Sequence, residues 1–242
     1  MKKGIHESVL LALRKKLEEE GYNTGEIETL ISNYSWFLSE YSLLRLLLRS
    51  GLTIDKCQQS LDFLLERHEA LGKEIRSGST VLDVGCGLGI LACFLAEKNC
   101  RVYGTDIEET NIRVAARLSE MLNVSEYCTF QKAESNTLPF SSAMFDYVVL
   151  SWTLHDIKPE DREPLLSQCV RVLKHDGKLL ILDPESQLDF DQLQETMSEQ
   201  PVDRVQRKVL SRVYEHGAFT NALLAVYRKK HIDKNKSREL SP

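Results

Sequence analysis

The sequence predicts an α/β protein with an open, largely parallel β-sheet that is preceded by a helical region. Residues 80–89 read Thr-Val-Leu-Asp-Val-Gly-Cys-Gly-Leu-Gly, a β-branched run that breaks into three alternating glycines and passes at once into a helical pattern. Two further runs, at 145–150 and 179–182, are almost wholly apolar. Such runs are typical of strands that are buried on both faces of a parallel sheet.

Composition limits the classes of function. The chain has 242 residues, of which 42% are hydrophobic, and this suits one globular domain with a sizeable additional segment. The net charge of −5 argues against electrostatically driven nucleic-acid binding. Because no apolar run reaches about 18 residues, no membrane span is expected. The N-terminus lacks the apolar core of a signal peptide, so we expect a cytoplasmic protein. The six cysteines form no C-x-x-C pair and predict no metal site.

The N-terminal region, 5–76, predicts helices and no strand. These helices either form a stabilising cap or a lid over a substrate. The segment 35–42 is rich in aromatic and hydroxyl side chains, which makes Trp36 and Tyr41 candidate substrate-binding residues. Aromatic residues at helical spacing also suit a packed core, and this alternative stays open. His68 lies on the apolar face of its helix and is predicted to be a core histidine.

The glycine run and a later acidic residue together predict a nucleotide-type ligand. Glycine lets the backbone turn tightly and lets a ligand approach the main chain, and the following helix start presents unpaired N–H groups. Asp106 ends the second predicted strand about 20 residues beyond the turn, where an acidic residue accepts hydrogen bonds from ribose hydroxyls. Two plainer interpretations remain, a tight turn for the glycines and a helix N-cap for Asp106.

The motifs resemble those of the class I S-adenosylmethionine (SAM)-dependent methyltransferases. Residues 83–89, Asp-Val-Gly-Cys-Gly-Leu-Gly, resemble the family's first motif, which holds the methionine part of the cofactor. Asp106, the segment 133–140 and the segment 171–182 resemble the next motifs in the right order. The resemblance covers about residues 78–183 and is similar in type to the small-molecule methyltransferases of types 11 and 25. It implies a Rossmann-like seven-stranded methyltransferase sheet with helices on both faces and an N-terminal helical cap.

The resemblance also implies SAM as the cofactor and a set of residues that bind it. Asp106 would hold the ribose and Ile107 would pack on the adenine. Lys132 stands where many members place an acid that accepts from the adenine amino group, so that role passes to Glu134 or to main-chain groups. The implied cofactor-binding residues are Asp83, Gly85, Cys86, Gly87, Gly89, Asp106, Ile107, Ala133, Glu134 and Ser151.

The end of the fourth predicted strand carries the candidate catalytic residue. Residues 151–156, Ser-Trp-Thr-Leu-His-Asp, resemble the Leu-His-Asp run of small-molecule methyltransferases. The Asn-Pro-Pro-Tyr of enzymes that methylate adenine or glutamine is absent, and so are the paired glutamates of arginine methyltransferases. His155 is therefore the candidate general base, with a structural role as the alternative. Trp152 and Glu185 join Trp36 and Tyr41 as candidate substrate-binding residues.

These observations predict three regions and one main function. The regions are a helical cap or lid at 1–77, a SAM-binding domain at 78–228, and a polar, disordered tail at 229–242. The predicted function is SAM-dependent methyl transfer to a nucleophilic atom of a small molecule, with no nucleic-acid or membrane partner. The alternatives are a methyltransferase acting on a protein side chain and a non-catalytic SAM-binding regulatory module. Residues 202–216 fit both a helix and a strand, and the family pattern favours a strand.

Overall fold

The computed structural model describes residues 14–15, 18–19, 21, 23–25, 66–134, 137–215 and 218–230. Trp36 and Tyr41 lie outside the described residues, and so does most of the predicted cap. The chain divides into two compact units. The first comprises residues up to Gly78 together with Cys86–Lys132, and the second comprises Ser79–Gly85 together with the chain from Ala133 onwards.

Seven strands and four helices follow one another between residues 80 and 229. The strands are β1 (Thr80–Val84), β2 (Arg101–Asp106), β3 (Cys128–Lys132), β4 (Phe145–Ser151), β5 (Leu173–Pro184), β6 (Val202–Glu215) and β7 (Ala218–Lys229). The helices are α1 (Ile90–Glu97), α2 (Glu109–Met121), α3 (Pro159–Val172) and α4 (Phe190–Ser198), and 66–74 is also helical. Short 3₁₀ turns lie at Ser125–Tyr127 and Leu154–Asp156.

The strands form a seven-stranded mixed sheet in the order β3-β2-β1-β4-β5-β7-β6, which confirms the predicted fold class. In the second unit β4 pairs in parallel with β1 and β5, whereas β7 pairs antiparallel with β5 and β6. The apolar runs of β4 and β5 are fully buried, with 0% exposure at Val148, Val149, Leu150 and at 179–182. Their burial on both faces explains why the sequence shows no alternation there.

In the first unit β2 and β3 pair in parallel, with α1 and α2 in contact with both strands. His68 is a core histidine as predicted, because its side chain is 1% exposed and its ring lies 5.8 Å from that of Phe94. Burial lowers the pKa of His68 well below its ordinary value, and the adjacent Arg67 lowers it further.

Two segments are ambiguous in the sequence. Residues 175–177, His-Asp-Gly, would suit a tight turn but are an irregular part of β5, where the register with β4 shifts and Asp176 has φ of 61°. Residues 202–215 form a strand, which is the alternative that the family pattern favours. This strand lies at the edge of the sheet, where Val205 is 41% and Val209 51% exposed, so its apolar residues do not follow the burial pattern of a central strand.

The prediction that a disordered tail begins at Lys229 is wrong for that residue. Lys229 is the last residue of β7 and is 9% exposed. Its ammonium group donates to the carbonyl oxygens of Val170 and Leu173 at 2.7 Å each. The charged side chain predicted solvent exposure, but the carbonyl groups at the end of a helix bind the ammonium group inside the protein. Residues 231–242 lie outside the described part of the chain.

None of the helices in the described part of the chain is long and apolar enough to cross a membrane. Within the same residues, no group of three or more His, Cys, Asp or Glu side chains is arranged to hold a metal ion.

Candidate active site

In the first unit, the glycine turn leaves room above its main chain beside a carboxylate. Gly87 has φ of +52°, and a Cβ placed there would meet nothing within 4 Å. Its N–H donates to Oδ2 of Asp106 at 2.9 Å. By contrast, a Cβ on Gly89 would lie 2.6 Å from Cβ of Ala115, so that glycine is needed for the close packing of α2. Gly87 thus offers open backbone, which is what a ligand that binds the main chain requires.

Asp106 organises the chain that follows β2. Its Oδ1 accepts from the N–H of Glu108 at 2.9 Å and from Nδ2 of Asn111 at 3.1 Å. Asp106 is not the N-cap of α2, because Glu108 occupies that position. A carboxylate offers about four lone-pair sites, so the three bonds to Asp106 leave about one site for a ligand hydroxyl. Ile107 is 53% exposed, which places an apolar surface next to the carboxylate.

In the second unit, a different glycine permits a close approach of β1 and the end of β4. Gly85 has φ of +70°, and a Cβ there would lie 2.3 Å from Cγ2 of Thr153. The Thr153 hydroxyl donates to the carbonyl oxygen of Val84 at 3.2 Å. The local sequence around Thr153 does not signal this role, because its backbone partner lies 69 residues away. Asp83, just before the turn, is 2% exposed.

The turn after β4 holds an unusual backbone conformation. Trp152 has φ of 58°, a region that a bulky residue seldom adopts, and its N–H donates to the carbonyl oxygen of Leu182 at 2.8 Å. The hydroxyl oxygen of Ser151 is buried and has no hydrogen-bond partner in the described part of the chain. Strained backbone and unsatisfied buried groups both point to a functional site.

His155 is held by two carboxylates of unequal exposure. Its Nδ1 lies 2.5 Å from Oδ1 of Asp183, whose side chain is 0% exposed. The other oxygen of Asp183 accepts from the N–H of Leu154 at 3.1 Å. On the far side of the ring, Nε2 lies 3.4 Å from Oδ1 of Asp156, whose side chain is 76% exposed. The local sequence does not signal this pairing, because 28 residues separate the partners.

Comparison with known proteins identifies the family. Residues 82–181 match a protein family described as a methyltransferase domain. This chain carries a class I SAM-dependent methyltransferase domain. The match confirms the resemblance drawn from the glycine motif and the strand ends.

Named relatives are similar over part of the chain. The erythromycin 3''-O-methyltransferase of Saccharopolyspora erythraea is 36% identical over 118 residues, which are 48% of this chain and 37% of that one. The ubiquinone/menaquinone biosynthesis C-methyltransferase UbiE of Rhizobium etli is 33% identical over 117 residues, 47% of this chain and 45% of that one. The match therefore spans less than half the length of each relative.

A solved structure shows the same fold. A SAM-dependent methyltransferase from Methanosarcina mazei superimposes with a TM-score of 0.60 at 18% identity, covering 67% of this chain and 98% of that one. A likeness at this level of identity establishes the fold of the methyltransferase domain and nothing finer.

Other predicted residues of the methyltransferase domain are placed as follows. Glu134 and Lys132 are exposed and Ala133 is half-buried. Glu185 is exposed, and its Oε2 accepts from Nδ2 of Asn221 at 2.8 Å.

The thiols beside the glycine turn behave as small apolar groups. Cys86 is 8% exposed. A hydrogen bond with Cys128 and burial raise the pKa of the Cys93 thiol far above its ordinary value. Because the thiolate is the reactive form of cysteine, Cys93 is chemically quiet at neutral pH.

Proposed function

We propose that this chain transfers a methyl group from SAM to a nucleophilic atom of a small molecule. The observation that carries the proposal is the open glycine turn at Gly87, whose N–H donates to Asp106 at 2.9 Å, within a chain whose residues 82–181 match the methyltransferase family. Open backbone beside a carboxylate suits a ligand with both a charged amino-acid part and a ribose.

Within the first unit, Asp106 would accept from the ribose hydroxyls and the exposed Ile107 would cover one face of the adenine. The main chain of Cys86, Gly87 and Gly89 would border the methionine part. Within the second unit, the buried Ser151 hydroxyl supplies a hydrogen bond that no described residue takes up. The other residues proposed for cofactor binding are Asp83, Gly85, Ala133 and Glu134.

The chemistry divides between cofactor and protein. Bound SAM supplies a methyl carbon on a positively charged sulfur that is already a good leaving group. The chain therefore needs to align the acceptor with that carbon and to exclude water, and alignment alone removes several kcal/mol of barrier. His155 is proposed to take the proton of the acceptor.

The acceptor is proposed to be a small molecule. The two relatives are named for methyl transfer to oxygen and to carbon in small molecules, which supports this class over a protein side chain. Trp152 and Glu185 are the described residues proposed to face the acceptor, together with Trp36 and Tyr41. A cytoplasmic location stays a prediction.

The first test is calorimetric titration of the full chain with SAM, S-adenosylhomocysteine and NAD. We expect micromolar binding of both sulfur ligands and none of NAD. Binding of NAD in the absence of SAM binding would contradict the proposal and favour a dinucleotide enzyme.

The second part of the test screens acceptors with methyl-labelled SAM. The panel contains hydroxylated compounds, amines, thiols and compounds with acidic C–H groups, with product mass and methyl position read by mass spectrometry. His155→Ala should keep SAM affinity and lower turnover on the order of 10²-fold, because a positioned base contributes about that much. His175→Ala, at an exposed histidine, is the matched control. Full activity of His155→Ala would remove His155 from the mechanism.

A further inference from the structure

The strand ends of β4 and β5 bring a buried carboxylate onto the candidate base. Asp183 is 0% exposed and uses both oxygens, Oδ1 towards Nδ1 of His155 at 2.5 Å and Oδ2 towards the N–H of Leu154 at 3.1 Å. The two contacts fix the carboxylate plane, and the carboxylate in turn fixes the imidazole. The backbone helps, since the Arg162 guanidinium donates to the carbonyl oxygen of His155 at 3.2 Å.

We propose that Asp183 is a positioning residue that holds His155 with its proton on Nδ1, so that Nε2 accepts the proton of a hydroxyl acceptor. This inference rests on the proposed function and adds the tautomer of His155 and the acceptor atom. A carboxylate accepts hydrogen bonds and cannot donate them, so the shared proton belongs to Nδ1. The neutral ring then presents a lone pair at Nε2.

The surroundings of Nε2 suit proton release to water. The carboxylate of Asp156 lies 3.4 Å away and its side chain is 76% exposed, whereas Asp183 on the other side is fully buried. A proton that reaches Nε2 can pass to the exposed carboxylate and then to solvent, while the Nδ1 proton stays on the ring in its hydrogen bond to Asp183. The charged groups beside the ring include Asp183 and Asp156, and the Arg162 guanidinium contacts the backbone carbonyl of the same histidine.

A fixed base matters most for an oxygen acceptor. A neutral amine attacks with its free lone pair and can lose its proton afterwards, and a thiol ionises by itself near pH 8.5. An alcohol stays protonated at neutral pH, so its proton must leave as the oxygen reacts.

The hydroxyl oxygen bonds to the methyl carbon while the carbon–sulfur bond breaks and its electron pair returns to sulfur. The hydroxyl proton goes to Nε2 of His155, which gives an ether, a thioether and one proton for solvent.

The variant Asp183→Asn distinguishes a role of Asp183 in positioning His155 from a purely structural role. The asparagine oxygen can still accept from Leu154 N–H, and this orients its amide N–H towards Nδ1 of His155. The ring must then accept at Nδ1 and carry its proton on Nε2, where it cannot act as a base. The size of the side chain is unchanged. Asp203→Asn, at a side chain that is 70% exposed, is the matched control.

The decisive readout needs no acceptor. Two-bond ¹H–¹⁵N spectra of the full chain with labelled histidine report which ring nitrogen carries the proton, and the His155 signal is the one that His155→Gln removes. At pH 7.5 we expect the Nδ1–H tautomer in the natural chain and in Asp203→Asn, and the Nε2–H tautomer in Asp183→Asn. An Nε2–H tautomer or a doubly protonated ring in the natural chain would overturn the inference, whatever the result of SAM titration.

Turnover supplies the second readout. With the acceptor that the screen identifies, Asp183→Asn should lower kcat on the order of 10²-fold, leave the KM for SAM unchanged and remove the ascending limb of the pH–rate profile. Mass spectrometry should place the methyl group on oxygen. A methyl group on nitrogen, sulfur or carbon would overturn the acceptor assignment, and a natural kcat in a folded Asp183→Asn chain would overturn the positioning role. Failure of SAM binding would count against the proposed function. It would leave the positioning role of Asp183 testable, since the tautomer of His155 is measured without SAM.

Discussion

Two glycines of one turn do different work, which is visible in what a Cβ would touch. Gly85 and Gly87 both have positive φ, at +70° and +52°, so any other residue at either position would have a strained left-handed backbone. Only Gly85 faces an obstacle, since Thr153 atoms would lie 2.3 Å and 2.7 Å from its Cβ. The first glycine is therefore required for packing, and the second leaves space for a ligand.

Gly85→Ala and Gly87→Ala should separate these two roles. We expect Gly87→Ala to destabilise the fold by about 1–2 kcal/mol, the cost of the left-handed conformation. Gly85→Ala should cost more, about 3 kcal/mol or above, because the clash with Thr153 adds to that strain. Urea denaturation followed by circular dichroism measures both. In a Thr153→Ala background the excess cost at Gly85 should shrink, and an equal loss for the two glycine variants would refute the packing role.

At the residue scale, the sequence signals residues that share one local motif and does not signal contacts that cross the sheet. The glycines and Asp106 are joined by a fixed spacing through one strand–turn–helix unit, so sequence alone shows them. Thr153 and Asp183 acquire their roles from partners 69 and 28 residues away, and such pairings depend on strand order. Residues at the ends of parallel strands are candidates for such contacts, because these ends meet at one edge of the sheet.

Among the elements, α3 and β7 are joined by a single buried lysine. Nζ of Lys229 donates to the carbonyl oxygens of Val170, Arg171 and Leu173, at 2.7, 3.3 and 2.7 Å. These carbonyls belong to the C-terminal end of α3 and the residue after it, where a helix has unpaired acceptors and partial negative charge. Burial, with a contribution from Arg171, lowers the pKa of Lys229 from its ordinary value. The contacts therefore offset a real cost of desolvation.

Lys229→Met should destabilise the chain by about 1–3 kcal/mol, because buried carbonyls lose their donor while the apolar stem is preserved. Lys230→Met is the control, since this neighbouring side chain is 49% exposed and pairs with Asp203 at 3.3 Å on the surface. Such an exposed pair is worth about 0–1 kcal/mol. Urea midpoints at constant m-value measure both changes. Equal losses for the two lysines would show that the ammonium–carbonyl contacts contribute nothing specific.

At the element scale, burial on two faces made the central strands predictable, and exposure made the edge ambiguous. The strands β1, β4 and β5 contain short runs that are almost wholly apolar, and residues 148–150 and 179–182 within them are 0% exposed. The edge strand β6 carries charged residues and exposed valines, so its spacing fits two periods. Residues 202–215 form a strand because they pair with β7, and the local sequence does not signal this pairing.

At the scale of the whole molecule, the order of strands and helices along the chain predicts the fold, and the residues at the strand ends suggest the chemistry. Alternating apolar strands and helices predict the doubly covered sheet, and the antiparallel pairing of β7 with β5 completes it. The acceptor is not determined by this architecture, since one fold carries many reactions. The acceptor atom is instead inferred from side chains at the ends of β4 and β5, where Asp183 holds His155 as a base for a hydroxyl acceptor.

Binding of SAM should stabilise the folded chain as a whole. A ligand that binds only the folded state adds about 2.7 kcal/mol of stability at one hundred times its Kd. For a domain of this size, each kcal/mol raises Tm by about 2–4 °C. NAD at the same concentration should leave Tm unchanged, and S-adenosylhomocysteine should act as SAM does. Thermal unfolding by circular dichroism over a range of ligand concentrations measures the effect.

Asp106→Ala should reduce that stabilisation, because the ribose hydroxyls and the Gly87 N–H lose their acceptor. Loss of such a partner costs about 1–3 kcal/mol of SAM binding energy, so at the same SAM concentration the stabilisation falls from about 2.7 to about 0.3–1.8 kcal/mol and the shift in Tm shrinks in proportion. The comparison is made within each variant, with and without SAM, and thereby excludes the direct effect of the substitution on the fold. Asp203→Ala, on an exposed side chain, should keep the full shift. An undiminished shift in Asp106→Ala would show that the carboxylate orders only its own turn, through Glu108 and Asn111, and does not bind the cofactor.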